Sequence, residues 1–339
     1  MEPEPNILLM RLKAMGDVLF TLPAVHLLRE TFPRSRITFL VSAENAPLLE
    51  GFRDVDETVA LNRGRYRSGN PLHMLTETFT LFRRLRRGRF SLAVDFQGFG
   101  ETAWLTRLSG APERWASVHS APRHWAYTRS FPRNNRVHPV EWNLSLLHQC
   151  GLCPGTVRNE FVLPDHALGE ARRFFAAHQL ALDCPTLFIQ PFTSTVQKTW
   201  PLDRYCTLAR HWRERGRQVL FGGGPSERAA LEPARQAGFP VSAGVPLLVS
   251  AGLTKLSALT VSGDTGLLHL AAAMGKRVVA IIRSTAPGNK YPFQHPDWAV
   301  TIPVGKDMST IGAETVIEAC ERALAETGLA GVSSGPGSA

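Results

Sequence analysis

Two short apolar runs separated by one amphipathic segment constrain this chain more than any other feature. Ile7-Leu8-Leu9-Met10 reads as a buried strand. Residues 11–17 form a polar loop around Gly16. Residues 18–30 then carry Leu19, Leu22, Val25, Leu27 and Leu28 at helical spacing, with Pro23 in the first turns and Pro33 beyond the end. Residues 37–41 (ITFLV) give the next strand. Two strands joined through a helix must run parallel, because a hairpin has no room for one. A parallel sheet in turn needs helices on both faces. The opening therefore fixes the class as α/β.

The rhythm continues. Residues 92–95 (LAVD) predict a strand running into Phe96-Gln97-Gly98, with a helix over 101–108. Residues 111–164 are rich in Pro, His, Trp and Asn and weakly periodic. They read as the end of a first domain and a connection. A second series follows: strand 187–189, helix 202–215, strand 219–221, Gly222-Gly223-Gly224, helix 226–237, strand 258–262, helix 267–274, strand 277–282 and helix 312–327. This predicts domains over 1–164 and 165–327, with a disordered Gly/Ser/Ala tail over 328–339. Two parallel sheets in tandem are expected to face one another across a cleft at the carboxyl ends of their strands, where such folds bind ligands.

Composition narrows the function. The chain has 339 residues, 44% hydrophobic and 20% charged, which excludes wholesale disorder and a polytopic membrane protein. The N-terminus has acids and prolines where a signal peptide needs a basic start. Five cysteines at irregular spacing fit a reducing compartment. A cytoplasmic location is expected. Net charge is +9, and residues 63–89 hold eight arginines against one acid, Glu77. Such a cluster points to a polyanion: nucleic acid, anionic lipid or a phosphorylated substrate. It also fits a solvated helix face. Leu72, Leu75, Phe79, Phe82 and Leu85 make a helical stripe beside Arg83, Arg84, Arg86 and Arg87, as in a helix lying on anionic lipid.

Four loops after strands carry candidate chemistry. Asp17 follows Gly16 at a helix start, placed either to cap the helix or to act as a general base. Gln190 to Ser194 and Lys198 supply the hydroxyls of Thr193 and Ser194 and one cation, a phosphate-binding set or a polar loop closed by Pro201. Glu227 follows the glycine run. It could accept hydrogen bonds from a ribose diol or favour the helix dipole. Ser262-Gly263-Asp264-Thr265-Gly266 opens a helix whose first N–H groups can hold a diphosphate, and His269 lies one turn beyond Thr265. No G-x-G-x-x-G fingerprint is present, and no carboxylate cluster calls for a divalent metal.

These elements, in this order, resemble glycosyltransferase family 9, the ADP-heptose:lipopolysaccharide heptosyltransferases. The matching stretches are ILLMRLKAMGDVLFTLPAVHLLRE, VDFQGFGETAWLTRLSGAPER, FIQPFTSTVQKTWPLDRY and VSGDTGLLHLAAAMGKRVVAI. The resemblance implies a GT-B fold of two Rossmann-like domains. The first would bind the acceptor, and the second the nucleotide sugar. It implies an inverting, metal-independent transfer of heptose from ADP-heptose to a lipopolysaccharide inner-core acceptor, with no cofactor beyond the donor. The enzyme would sit peripherally on the cytoplasmic face of the inner membrane, with a phosphorylated glycolipid and that surface as partners and no nucleic acid. Carried over by position, Asp17 is the base. Lys198 is catalytic and donor-binding, and Thr193, Ser194, Glu227, Asp264, Thr265, Gly266 and His269 bind the donor. Arg63, Arg65 and Gln97 would bind the acceptor. Two alternatives remain at this level: a GT-B enzyme with another nucleotide sugar, and a non-catalytic protein binding polyanions or membrane surfaces.

Overall fold

The computed structural model describes residues 5–62, 71–119, 121–303 and 305–328. Arg63, Arg65 and residues 329–339 of the expected tail lie outside them. The chain divides into two compact units, Met1–Phe161 and Val162–Ala339.

The first unit is a parallel sheet of six strands. β1 (Ile7–Met10), β2 (Ile37–Ser42), β3 (Glu57–Leu61), β4 (Leu92–Asp95), β5 (Glu113–Val118) and β6 (Arg129–Pro132) stand in the order β3-β2-β1-β4-β5-β6. The first two strands pair parallel from Ile7 opposite Ile37, as the opening sequence requires. The crossover is two helices rather than one: α1 (Met15–Leu19) and α2 (Leu22–Thr31). Pro23 explains the break. It lacks an N–H and is tolerated in the first turn of α2, but not inside a continuous helix. α3 (Pro71–Arg87), α4 (Gly100–Ser109) and α5 (Pro139–Gln149) complete the unit. Residues 111–164 are thus not mainly a connection. They supply two strands and a helix of the first sheet's domain.

The apolar stripe of α3 is also redistributed. Leu85 is buried in the core with Leu8, Met10 and Leu40, and Leu81 packs on it. Phe79 is 55% exposed. Arg84 pairs with Glu57 at 3.0 Å rather than only facing water.

The second unit opens with α6 (Asp165–Ala177). Its strands are β7 (Thr186–Gln190), β8 (Gln218–Gly223), β9 (Val241–Ala243), β10 (Leu259–Ser262), β11 (Val278–Ile282) and β12 (Ala299–Thr301), all parallel in the order β12-β11-β10-β7-β8-β9. α7 (Leu202–Glu214), α8 (Glu232–Gln236), α9 (Leu247–Leu256), α10 (Gly266–Ala273) and α11 (Ala313–Glu326) cover it. Helix 226–237 is in fact a turn of 3-10 helix over Pro225–Glu227, followed by α8. Tyr205 and Trp212 of α7 and Trp200 just before it are fully buried, and the Trp200 indole N–H donates to the Ile311 carbonyl at 2.9 Å.

Each sheet has one point where the strand order reverses. In the first it lies between β1 and β4, in the second between β7 and β10. Ligands of doubly wound sheets bind at the carboxyl ends of the strands at that point. The loops 11–17 and 96–98 flank the first reversal. The loops 191–199 and 263–266 flank the second.

Candidate active site

At the first reversal, one buried carboxylate shapes the loop. Asp95 ends β4 with no exposure and accepts the N–H groups of Gln97 at 2.8 Å and Gly98 at 2.9 Å, and the Tyr127 hydroxyl at 2.7 Å. Burial pushes its carboxyl above the ordinary range, and these hydrogen bonds oppose the rise. Gly98 has φ +66°, and a Cβ there would meet the Ser117 carbonyl oxygen at 2.1 Å, so only glycine fits. The turn aims Gln97 inward. Its side-chain oxygen accepts the N–H groups of Leu12 at 2.9 Å and Lys13 at 3.3 Å. Gln97 therefore ties the β4 loop to the β1 loop, and it is only 1% exposed.

That tie sets Asp17, in the first turn of α1. Its Oδ2 lies 2.6 Å from the Arg11 guanidinium, and the Ala14 N–H points to the same oxygen at 3.4 Å. Arg11 is anchored in turn by donating to the Phe96 carbonyl at 2.7 Å. Arg133 donates to the carbonyls of Phe96 and Gln97 at 2.9 Å each, and to His119 Nε2 at 2.6 Å. His119, stacked on Phe99, is held down to about 4 by burial and by Arg133, Arg11 and Arg123, so it stays neutral. The result is a carboxylate paired with Arg11, with Arg133 close enough to act on it electrostatically.

At the second reversal the predicted residues meet directly. Lys198 Nζ donates to Asp264 Oδ2 at 2.7 Å, joining the loop after β7 to the loop after β10. His269, 4% exposed, reaches Asp264 Oδ1 at 3.4 Å. Burial disfavours the Asp264 carboxylate, but the hydrogen bonds from His269 and Lys198 outweigh it and hold the group well below the ordinary range. Thr265 caps α10: its hydroxyl accepts the Leu268 N–H at 3.2 Å and meets Ser262 Oγ at 2.9 Å. Gly266, the first helical residue, brings its N–H to the same edge. Thr193 donates to the Thr195 carbonyl at 2.8 Å and meets the Thr199 hydroxyl at 2.9 Å, and Ser194 is exposed beside it.

Glu227 lies on the neighbouring loop. Its Oε2 accepts the Gly224 N–H at 2.7 Å and faces Gln190 Nε2 at 3.5 Å, so it closes the glycine turn. Gly222 does not leave room for a ligand. A Cβ there would meet the Phe188 ring at 2.3 Å, which makes that glycine a packing requirement.

Sequence reasoning missed several residues of both sites. Arg283 and Lys290 line one pocket with Lys198, Asp264 and Asn289, adding two cations to the one anticipated. Arg11, Arg133, His119 and Asp95 carried no local signal, since their partners are distant in sequence. Among the described residues no group of three His, Cys, Asp or Glu side chains converges as a metal site. No described helix is long and apolar enough to cross a membrane.

Comparisons with known proteins place the fold and the family. Lipopolysaccharide heptosyltransferase 1 of Pseudomonas aeruginosa is 28% identical over 293 residues, covering 84% of this chain and 80% of that protein. A glycosyltransferase family 9 structure from Veillonella parvula superposes with a TM-score of 0.86 at 20% identity, over 96% of this chain and 99% of that one. The E. coli heptosyltransferase WaaC with ADP-2-deoxy-2-fluoro heptose gives a TM-score of 0.75 at 20% identity, over 94% and 99%. The fold is thus that of the GT-B heptosyltransferases. With the model of glycosyltransferase family 9 (heptosyltransferase) matching residues 78–313, the chain belongs to that family and is a glycosyltransferase.

Proposed function

We propose that this enzyme transfers heptose from ADP-heptose to a phosphorylated lipopolysaccharide inner-core acceptor, with inversion and without a metal ion, at the cytoplasmic face of the inner membrane. The observation that carries the donor side is the Lys198–Asp264 pair at the second reversal, with Arg283 and Lys290 in the same pocket. Three cations against the one carboxylate of Asp264, with the first N–H groups of α10, form a net positive end for a leaving diphosphate. Preorganised donors of this kind stabilise developing charge without a metal. The hydroxyls of Thr193 and Ser194 add hydrogen bonds, and Glu227 holds the turn beside them for the nucleotide.

Asp17 supplies the base. It takes the proton of the acceptor hydroxyl as that oxygen forms its bond to the anomeric carbon. The C–O bond to the diphosphate breaks on the opposite face, so a single displacement inverts the centre. Arg11 holds the carboxylate in place through their 2.6 Å ion pair. Arg123 and Arg133 nearby suit an acceptor bearing carboxylate or phosphate groups. Gln97 contributes by holding the Leu12–Lys13 backbone rather than by facing the acceptor.

Asp17→Ala tests the assignment. Turnover with saturating acceptor should fall ~10²–10⁴-fold, while ADP binding by calorimetry stays within about twofold. A variant that keeps more than half the wild-type turnover reduces Asp17 to a helix cap. Treatment with EDTA should leave wild-type turnover unchanged. Loss of activity restored by Mg²⁺ would contradict the metal-free scheme.

A further inference from the structure

The arginines of α3 are not accounted for by the sites above. They lie at the other end of the first sheet. A pocket of 790 Å³ is lined by Arg36, Arg83, Arg84, Arg87 and Arg89, with Phe79 and Phe90 among its walls and Glu57 as its one carboxylate among the described residues. Its lining includes Asn6, Arg36 and Phe90, which precede β1, β2 and β4, and Glu57, which begins β3. The sheet is parallel, so the pocket sits at the amino ends of its strands. Asp17, Arg11 and Gln97 sit at the carboxyl ends. Strands of this length separate the two by roughly 13–20 Å, so the pocket is no part of the catalytic arrangement.

The charge is organised. Glu57 holds Arg36 at 2.9 Å and Arg84 at 3.0 Å, fixing two guanidinium groups on the pocket wall. Among the described residues, Arg83, Arg87 and Arg89 pair with no carboxylate, and Arg83 lies over the Phe79 ring at 5.6 Å. Arg89 has φ +45°, the left-handed conformation that follows a helix end and that glycine adopts without penalty. An arginine is held there directly after a glycine, Gly88. Among the described residues, five guanidinium groups against one carboxylate leave an uncompensated positive pocket whose planar forks match phosphate oxygens. Phe79 and Phe90 offer an apolar wall for whatever the phosphate is attached to.

We propose that this pocket is a second anion site that binds a phosphate ester, carried either by a lipid headgroup or by a soluble phosphorylated molecule. It acts independently of the donor site at Lys198. The test uses the full chain with two probes: inorganic pyrophosphate by calorimetry, and flotation with vesicles of phosphatidylcholine containing phosphatidic acid, against phosphatidylcholine alone. R83Q/R87Q/R89Q removes the three unpaired arginines, which are exposed, and leaves the Glu57 pairs intact. R107Q/R172Q/R173Q removes the same charge elsewhere on the surface.

The first triple variant should weaken at least one probe by about tenfold or more, with a reduced salt dependence and an unchanged melting temperature. The second should stay within about twofold. In calorimetry, the pyrophosphate site lost from R83Q/R87Q/R89Q should persist in Lys198→Ala. Vesicle binding that R83Q/R87Q/R89Q loses identifies the headgroup source. Pyrophosphate binding without vesicle binding identifies the soluble source. The proposal is overturned if neither probe binds the wild-type chain through this pocket, or if both triple variants lose binding equally.

Discussion

Asp264→Asn should lower stability at neutral pH and lose that effect in acid. The substitution keeps the side-chain volume and removes the charge. Asp264 is 19% exposed and accepts from Lys198 at 2.7 Å, but the lysine is 41% exposed, so solvent screens the pair. A half-screened, hydrogen-bonded ion pair contributes ~1–2 kcal/mol. In a unit of this size that corresponds to a fall in Tm of ~2–8 °C. The sign with pH follows from the depressed carboxyl. The unfolded aspartate takes up its proton near pH ~4, while the folded one remains ionised. The stabilisation is therefore complete above that pH and is lost as pH falls toward the folded value. Urea unfolding of wild type and variant, followed by circular dichroism at pH 7 and pH 3, reads both. The gap should be present at pH 7 and clearly narrower at pH 3. Equal gaps at the two pH values, or none at pH 7, would refute the pairing.

Lys198→Ala should weaken ADP binding by roughly tenfold or more, the worth of one charge-assisted contact, and should also lower turnover; calorimetry and steady-state kinetics check the two. His119 should titrate near 4 by NMR, because burial and the adjacent arginines disfavour its cation, and a value near 6.5 would remove the arginine cluster from the site. Gly98→Ala should destabilise the first unit by about 1–3 kcal/mol, since it forces a side chain into left-handed backbone against the Ser117 carbonyl. Urea midpoints measure that loss.

The central strands were legible because they are continuous apolar runs bounded by loops. β1, β2, β4, β7 and β10 are buried on both faces and read as such. The last two strands of the first sheet were not. β6, at the edge, is four residues of mixed polarity ending in Pro132, and β5 beside it begins with exposed Glu113 and half-buried Arg114. Neither has the alternation or the unbroken apolar run that marks a strand. α9 is apolar on most sides, so it lacks the stripe that reveals a surface helix.

The site divides in the same way. Asp17, Asp264 and Thr265 announce themselves by position after a strand and beside glycine, Lys198 by its place in the loop after β7, and His269 by lying one turn beyond Thr265. Their partners do not, because the pairs run between distant segments: Arg11 to Phe96, Tyr127 to Asp95, Arg133 to Gln97. The glycine turn after β8 hides its reason in the same way. Gly222 is required by the Phe188 ring across the sheet, a contact invisible along the chain.

The central claim is that this enzyme moves heptose from an adenosine diphosphate donor. Mass spectrometry of a lipopolysaccharide inner-core acceptor, after incubation with ADP-heptose, UDP-sugars and GDP-sugars in parallel, tests it most directly. The acceptor should gain one heptose residue with ADP-heptose alone, with release of ADP and no gain when Asp17→Ala replaces the wild type. An acceptor unchanged by ADP-heptose but extended by another nucleotide sugar would contradict the account.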